Sequence, residues 1–199
     1  MNCHLVYDEA SRTGVVVDPG DEIDRIRAAI RERNLTITHI LLTHGHIDHV
    51  AYAEDLHEEL KVPMLLHPQD WQMARQVQTQ AQMFGLPPCR VPVLDGPLEE
   101  GQVIESGPLR FEVLFTPGHS PGSVTLKLPG HALVGDVIFQ GSIGRTDLPG
   151  GDLRVLMDTI WQKIVPLGDE VVLYPGHGPM TTVAEERRGN PFLEMYPAH

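Results

Sequence analysis

Residues 41–50, "LLTHGHIDHV", carry three histidines and one aspartate within six positions, directly after an apolar run. The preceding residues, "ITHILLTH" at 37–44, predict a buried strand. A strand that ends in a turn leaves the polar side chains of that turn at the edge of its sheet. His44 and His46 are two positions apart and can face the same side, whereas Asp48 and His49 begin the following helix. The stretch therefore predicts ligands for one metal ion, or for two ions close together.

A polar loop that merely caps the helix is the alternative interpretation. Asp48 alone fits it well, because a carboxylate at the start of a helix accepts hydrogen bonds from free backbone N–H groups. The three histidines do not fit, because an imidazole is a poor cap and each ring held near the sheet needs a partner of its own. The cluster as a whole favours metal binding.

Two more histidines follow apolar strands and Pro-Gly turns, His119 in "TPGHSPGS" and His177 in "YPGHGP". Between them, Asp136 follows Gly135 inside an otherwise apolar predicted strand, "ALVGDVIF". A buried carboxylate needs compensation, which either a cation or backbone amides would supply. The repeated strand-end settings favour the cation. We expect structural roles for the remaining histidines, which are His4, His39, His57, His67, His131 and His199.

The composition limits the classes of function. A chain with 41% hydrophobic and 21% charged residues is expected to fold as one domain over residues 1–199. Its formal net charge of −12 argues against nucleic acid as a partner, because phosphate backbones are bound by clustered Lys and Arg. No segment predicts a membrane span or a signal peptide, and Cys3 and Cys89 do not form a disulfide framework. We therefore expect a cytoplasmic protein with neither a membrane nor a nucleic-acid partner.

Strands and helices are predicted to alternate along both halves of the chain, which favours sheets covered by helices. Residues 4–20 predict two strands joined by a turn at 12–14. Helical spacing of apolar residues predicts helices over 21–34, 51–61, 68–85 and 152–165. Further strands are predicted at 63–67, 109–118, 123–128, 131–139 and 170–176.

The order of these motifs resembles that of a known family. "THGHIDHV" followed by His119, Asp136 and His177 resembles the signature of the metallo-β-lactamase superfamily, and the resemblance runs through nearly the whole chain. It implies an α+β fold, a four-layer αββα sandwich with metal ions at one edge of two sheets. "VDPG", "GDVIFQGSIGRTDLPGGD", "YPGHGPMTT" and "ERRGNPFL" are similar to the short glyoxalase II-like hydrolases within it.

The resemblance implies a site with two divalent metal ions, zinc first and iron or manganese as alternatives. One ion would be held by His44, His46 and His119, the other by Asp48, His49 and His177. Asp136 would bridge the two ions, and Asp18 would orient a ligand. The implied reaction is hydrolysis of a small-molecule thioester, S-lactoylglutathione or a related hydroxyacyl thioester, by a hydroxide that bridges the metals. Asp48 would serve as the proton acceptor.

Three departures from the family pattern bear on the substrate and the sheet edge. Full-length glyoxalase II enzymes carry a further helical region that holds glutathione, and we expect this chain to lack it. Where those enzymes place Lys and Tyr, this sequence has Arg145 and Asp147. Arg145 is a candidate to bind a glutathione carboxylate, with an ion pair to Asp147 or Asp152 as the alternative. The first strand of the relatives is absent or shortened, which would expose a sheet edge.

A second class of enzyme shares these motifs. Persulfide dioxygenases resemble this chain in the His/Asp set and in "GRTD", but use a single iron to activate dioxygen. Here the iron would be held by His44 or His46 together with His119 and Asp136. "PGHGP" and "LPGGD" look more like the hydrolases, so hydrolysis is favoured. A nuclease fits less well because of the net charge of −12, and a β-lactamase because no secretory signal is predicted. A non-enzymatic metal module fits less well because a structural site needs no more than four ligands.

Overall fold

Two sheets form the centre of the molecule in the computed structural model, which describes residues 1–197 and so leaves His199 outside the described residues. The strands are β1 (His4–Tyr7), β2 (Thr13–Val17), β3 (Thr36–Leu42), β4 (Met64–Leu66), β5 (Gly96–Pro97), β6 (Val103–Ser106), β7 (Leu109–Phe115), β8 (Val124–Leu128), β9 (His131–Gly135), β10 (Ile138–Phe139), β11 (Ser142–Ile143), β12 (Val172–Pro175) and β13 (Thr181–Thr182). The first sheet has the order β1-β2-β3-β4-β5, and the second has the order β13-β12-β9-β8-β7-β6. A short ribbon of β10 and β11 follows β9.

Helices cover the outer faces of both sheets. They are α1 (Ile23–Glu32), α2 (Ile47–Val50), α3 (Ala53–Leu60), α4 (Trp71–Arg75), α5 (Val77–Phe84), α6 (Leu153–Thr159), α7 (Val183–Gly189) and α8 (Pro191–Met195). Short 3₁₀ turns span Pro68–Asp70 and Val165–Leu167, and a π turn spans Ile160–Ile164. Among residues 1–197, no helix is long and apolar enough to cross a bilayer.

Alternation along the strands divides the apolar residues into three packed layers. Val15 and Val17 of β2 pack between the two sheets, against residues such as Phe111 of β7. Val16 points the other way, towards Ile26 and the rest of the helical layer of the first half. A third cluster joins the outer face of the second sheet to α6, α7 and α8. The layers are therefore helix, sheet, sheet, helix, which confirms the predicted αββα sandwich.

Strand direction brings the predicted ligands to one edge. β2, β3 and β4 run parallel, so their carboxyl ends lie together. In the second sheet β9 and β12 are parallel, and β7 has the same direction because both β7 and β9 are antiparallel to β8. The residues that follow β3, β7, β9 and β12 carry the metal-ligand candidates. The backbone N–H of Val124 donates to the carbonyl of Thr43 at 2.9 Å, which joins the two sheets at this edge.

Several boundaries differ from the sequence predictions. The predicted strand around Asp136 ends at Gly135, whose positive φ of 51° turns the chain, so Asp136 lies in the turn before β10. The helix predicted over 68–85 is divided into a 3₁₀ turn, α4 and α5, with a non-helical Gln76 between the two helices. This break allows α5 to pack on α2. β1 is the terminal strand of its sheet, with β2 as its paired neighbour.

Candidate metal centre

Six of the seven predicted ligands form two groups at the shared sheet edge. His44, His46 and His119 form the first group, and Asp48, His49 and His177 form the second. Within each group, one ligand atom from every member lies within 4.8 Å of the others. The two groups come from both sheets, because β3 leads into four of these residues and the loops after β7 and β12 supply the other two. Each group has the number and type of donors that a divalent ion binds in proteins.

Asp136 lies between the two groups. Its Oδ2 is 3.6 Å from Nε2 of His119 in the first group and 3.6 Å from Nε2 of His177 in the second. Its Oδ1 is 3.4 Å from Nε2 of His49. A single carboxylate thus faces both groups, which is the arrangement that a bridging ligand requires.

Two rings of the first group are fixed through their Nδ1 atoms. The Thr43 hydroxyl donates to Oδ2 of Asp18 at 2.6 Å, so it can only accept from Nδ1 of His44, at 3.1 Å. Nδ1 of His119 donates to the carbonyl of Arg145 at 2.8 Å. Both rings therefore carry their proton on Nδ1 and present a lone pair on Nε2.

The other ring nitrogens of His44 and His119 and one nitrogen of His46 converge on one point. Nε2 of His44 and Nε2 of His119 lie 3.2 Å apart, and Nδ1 of His46 lies 2.9 Å from Nε2 of His119. Burial, followed by the charge of His119, lowers the pKa of His46 to about 4, so this ring is neutral at pH 7 and donates to His119 only when its single proton lies on Nδ1. The lone pairs on Nε2 of His44 and Nε2 of His119 repel one another unless a donor or a cation lies between them. The first group therefore fits a metal ion.

His49 connects the second group to Asp18. Its Nδ1 donates to Oδ2 of Asp18 at 2.9 Å, and Oδ1 of Asp18 accepts from the backbone N–H of Thr43 at 2.7 Å. Asp18 also lies close enough to His44 and His49 to share a metal ion with them, but both of its oxygens already accept hydrogen bonds. These contacts orient the His49 ring, the role predicted for Asp18.

Two buried atoms at the centre of the site have no hydrogen-bond partner, Nε2 of His49 and Oδ1 of Asp136. Such atoms are costly in a protein interior. Burial lowers the pKa of His49, but the carboxylates of Asp18 and Asp136 raise it by more, to about 10. Without a metal ion the site therefore holds a proton on His49. A metal ion would supply that positive charge and would give both unpartnered atoms a ligand role.

Asp48 and His177 form the open side of the second group. Their side chains are 45% and 41% exposed, whereas that of His49 is fully buried. Nε2 of His177 lies 3.0 Å from Oδ2 of Asp48. Burial raises the pKa of Asp48, but the hydrogen bond from His177 and the charge of His49 hold it below its usual value. The Asp48 carboxylate is therefore ionised at neutral pH.

A cavity of about 450 Å³ opens onto both groups. Its walls are largely apolar beyond the ligand candidates, and they include Ile47, Phe84, Phe139, Ile143 and Leu148. The cavity has room for a small organic substrate next to the metal ligands.

Arg145 lines this cavity, as does Asp48. Its guanidinium makes a two-pronged ion pair with Asp147, at 2.7 Å and 2.8 Å, and both side chains are more than half exposed. The pairing that the sequence offered as an alternative is therefore present in the structure. An exposed ion pair of this kind contributes little to stability, so an anionic ligand can compete for the guanidinium.

Sequence reasoning missed Asp70, Gln80 and Thr43, which contact the ligand loops. Thr43 lies directly before His44, so its position could have marked it as a partner of that ring. Asp70 and Gln80 come from helical segments after β4, and their side chains accept hydrogen bonds from the backbone of Gly45 and Ile47. Nothing in the local sequence around Asp70 or Gln80 distinguishes them from ordinary helix residues. The apolar residues of the cavity were likewise indistinguishable from core.

Comparison with known proteins agrees with this geometry. The family model of the metallo-beta-lactamase superfamily matches residues 2–177. Hydroxyacylglutathione hydrolase GloC of Haemophilus influenzae is 38% identical over 197 residues, which cover 97% of this chain and 92% of that protein. The crystal structure of BLEG-1 B3 metallo-beta-lactamase has a TM-score of 0.90 and 34% identity, covering 96% of this chain and 93% of that one. The structure of TTHA1623 in a di-iron-bound form has a TM-score of 0.87 and 40% identity, covering 96% and 94%. The chain belongs to the metallo-β-lactamase superfamily.

Proposed function

We propose that this protein is a metal-dependent hydrolase that cleaves a thioester, S-lactoylglutathione or a related hydroxyacyl thioester. The observation that carries the proposal is the pair of ligand groups with the Asp136 carboxylate between them. The name of the similar Haemophilus protein, hydroxyacylglutathione hydrolase, supports this substrate class. A thioester also suits the site, because a thiolate leaves without the help of an acid.

The proposed ligands are His44, His46 and His119 for one divalent ion and Asp48, His49 and His177 for the other, with Asp136 shared. Ions bound there would lower the pKa of a water molecule and polarise the substrate carbonyl. The chain itself holds its rings in the required tautomers, through Thr43 for His44, Asp18 for His49 and the Arg145 carbonyl for His119. In His44 and His119 these contacts orient lone pairs before a metal binds, whereas His49 is oriented but must first release a proton from Nε2.

Asp48 is the proposed proton acceptor. It is ionised at neutral pH, half exposed, and part of the cavity wall. Its Oδ2 lies 3.0 Å from Nε2 of His177, and its side chain lines the cavity from which an attacking water would approach. As a ligand its main contribution is charge and position.

The cavity suggests how the substrate lies. The apolar side chains of Phe139, Ile143 and Leu148 would contact its aliphatic parts. Arg145 would leave Asp147 to pair with a carboxylate of the glutathione part, where one is present. We place this small-molecule chemistry in the cytoplasm, where Cys3 and Cys89, both free thiols, would remain reduced.

Zinc is the proposed metal, since imidazole and carboxylate ligands suit it. The same ligand types accept iron and manganese, and a 40% identical protein has been crystallised in a di-iron-bound form. A one-iron persulfide dioxygenase is the alternative. It would use His44 or His46 with His119 and Asp136, and it would leave the second ligand group without a role.

Metal content and substrate turnover together test the proposal. Elemental analysis of the purified protein should give two metal ions per chain, and S-lactoylglutathione should be hydrolysed. One iron per chain with oxygen uptake on glutathione persulfide would establish the dioxygenase instead. A β-lactam substrate should be run in parallel, because the similar BLEG-1 structure is that of a B3 metallo-beta-lactamase. Cleavage of the β-lactam in preference to every thioester would refute the proposal.

A further inference from the structure

Asp70 is a completely buried acid that belongs to neither ligand group. It ends the 3₁₀ turn that follows β4. Its carboxylate accepts three hydrogen bonds: from the backbone N–H of Gly45 at 2.9 Å, from the Ser120 hydroxyl at 2.6 Å, and from the backbone N–H of Gly122 at 2.6 Å. Burial raises the pKa of Asp70, and these three donors oppose the rise by stabilising the carboxylate.

The three donors come from the two loops that carry the first ligand group. Gly45 lies between His44 and His46, in the loop after β3 of the first sheet. Ser120 directly follows His119, in the loop after β7 of the second sheet. One carboxylate therefore ties together two loops from different sheets. The three rings that must converge on one ion belong to those loops.

Both loops lack a side chain where they approach Asp70. A Cβ atom on Gly45 would lie 2.9 Å from the Asp70 carbonyl oxygen. A Cβ atom on Gly122 would lie 2.7 Å from the Asp70 nitrogen and 2.8 Å from its Cγ. Such contacts are closer than packed atoms tolerate. Glycine at these two positions allows the carboxylate to reach both backbones.

Gln80 of α5 holds the same loop from another side. Its Oε1 accepts from the backbone N–H of Ile47 at 2.9 Å, and its Nε2 donates to the carbonyl of Gly45 at 3.3 Å. Both backbone polar groups of Gly45 are thus bonded to the segment that leads from β4 through α5. The loop between His44 and His46 is fixed by side chains and not only by its own turn.

We propose that Asp70 is the positioning residue of the first ligand group, holding the His44–His46 loop and the His119 loop in register so that the three imidazoles converge. This rests on the proposed function only in so far as that group binds a metal ion. The hydrogen bonds of the Asp70 carboxylate go to the two loops and not to a ligand ring, and Asp70 is not part of the cavity wall, so it would act through the two loops. In the second group, Asp18 accepts a hydrogen bond from His49, so this group would not depend on Asp70.

The sharpest test measures zinc affinity at each group separately in metal-free protein, with a competing chelator. His177→Ala disables the second group and isolates the first, and His46→Ala does the reverse. Asp70→Asn in the His177→Ala background should weaken zinc binding about 10- to 100-fold, because Asn keeps only one acceptor oxygen and its N–H₂ group must face a donor of one of the loops. In the His46→Ala background the same change should alter zinc affinity less than about threefold.

Glu54→Gln is the matched control. Glu54 is also a buried acid that accepts a backbone hydrogen bond, from Val93 at 2.7 Å, but it lies away from both ligand groups. It should lower thermal stability without changing zinc affinity at either group. Ser120→Ala provides a milder variant in case Asp70→Asn does not fold, since it removes one donor only, and it should weaken the first group by a smaller factor.

The outcomes separate the two proposals. Equal weakening of both groups, or none in the first, would overturn the role of Asp70. The wild-type protein could fail to hydrolyse thioesters while Asp70→Asn still weakens zinc binding at the first group alone. That result would overturn the proposed substrate and leave the role of Asp70 standing. A wild-type protein that binds no divalent ion would overturn both.

Discussion

The His44/His46/His119 group and the Asp48/His49/His177 group lie side by side but are held in different ways. In the first, His44 and His119 are buried, and each is fixed at Nδ1 by a neighbouring oxygen. In the second, His49 alone is buried and fixed, whereas Asp48 and His177 are nearly half exposed and contact each other at the cavity wall.

The difference in support has a consequence for metal binding. Rings whose lone pairs are already oriented lose little entropy when an ion binds, whereas exposed side chains must be ordered first. The first group also holds neutral rings, but His49 in the second must release a proton, since its pKa is raised to about 10. We therefore expect the first group to bind zinc more tightly and the second to exchange it more readily.

Removal of the ligand that both groups share should have the largest effect, because it affects the two groups alike. Asp136→Ala deletes the carboxylate that lies between the two groups, so we expect loss of most metal from both. Removal of a residue that merely orients a ligand costs about 10- to 100-fold, so loss of the ligand itself should lower kcat/KM by more than about 100-fold. Elemental analysis and a thioester assay measure this. Two metal ions per chain in this variant would show that Asp136 does not bridge.

Single ligands of the two groups should differ in their effect on the fold. His44→Ala removes a fully buried ring and leaves the Thr43 hydroxyl without its donor, so the metal-free protein should lose about 1–3 kcal/mol of unfolding free energy. His177→Ala removes a half-exposed ring and should stay within about 0.5 kcal/mol. Chemical denaturation of both metal-free variants measures the contrast. Equal losses would mean that the two groups are equally built into the core.

Arg145 contributes to the site in two separate ways. Its carbonyl accepts a hydrogen bond from His119 of the first group, and its side chain lines the cavity. Arg145→Ala leaves the carbonyl in place, so metal content should not change. We expect kcat/KM for S-lactoylglutathione to fall about tenfold through KM, the lower end for a charge-assisted contact, because the Asp147 pair competes for the guanidinium. A small thioester without glutathione should be hydrolysed at the wild-type rate. An equal loss on both substrates would assign Arg145 to loop structure.

The smallest expected effect is on the stability of the metal-free protein at different pH values. His49 has its pKa raised from 6.5 to about 10, so its contribution to stability is complete below pH 6.5 and is lost as the pH rises through about 10. His46, with a pKa lowered to about 4, stays neutral in that window.

The melting temperature of the metal-free protein should therefore fall by roughly 2–5 °C between about pH 7 and 8. His49→Gln should lack this fall, as should the zinc-loaded protein, in which Nε2 of His49 would bind the metal and carry no proton. A wild-type fall no greater than that of His49→Gln would show that the proton is not held in the site.

The local sequence predicted most of the strands and helices along the chain, and its resemblance to a family predicted the αββα sandwich and the candidate ligands at one edge. Three consecutive valines in β2 and the apolar run before His44 indicate buried strands, and the Pro-Gly turns before His119 and His177 mark strand ends. These are local signals, because the period of a strand and the geometry of a turn depend on neighbouring residues. Even so, Asp136 was predicted in a strand and lies in a turn, because the backbone of Gly135 has a left-handed conformation.

The hydrogen bonds that support the ligand loops depend on the tertiary structure. Asp70 is 25 residues from Gly45 and 52 from Gly122, and it meets both only because two sheets close on the same edge. The helix predicted over 68–85 is likewise divided at Gln76. The division allows α5 to pack on α2 and Gln80 to reach the ligand loop. Hydrogen bonds between distant segments leave no periodic pattern in a sequence, since each partner looks like an ordinary polar residue until the fold brings them together.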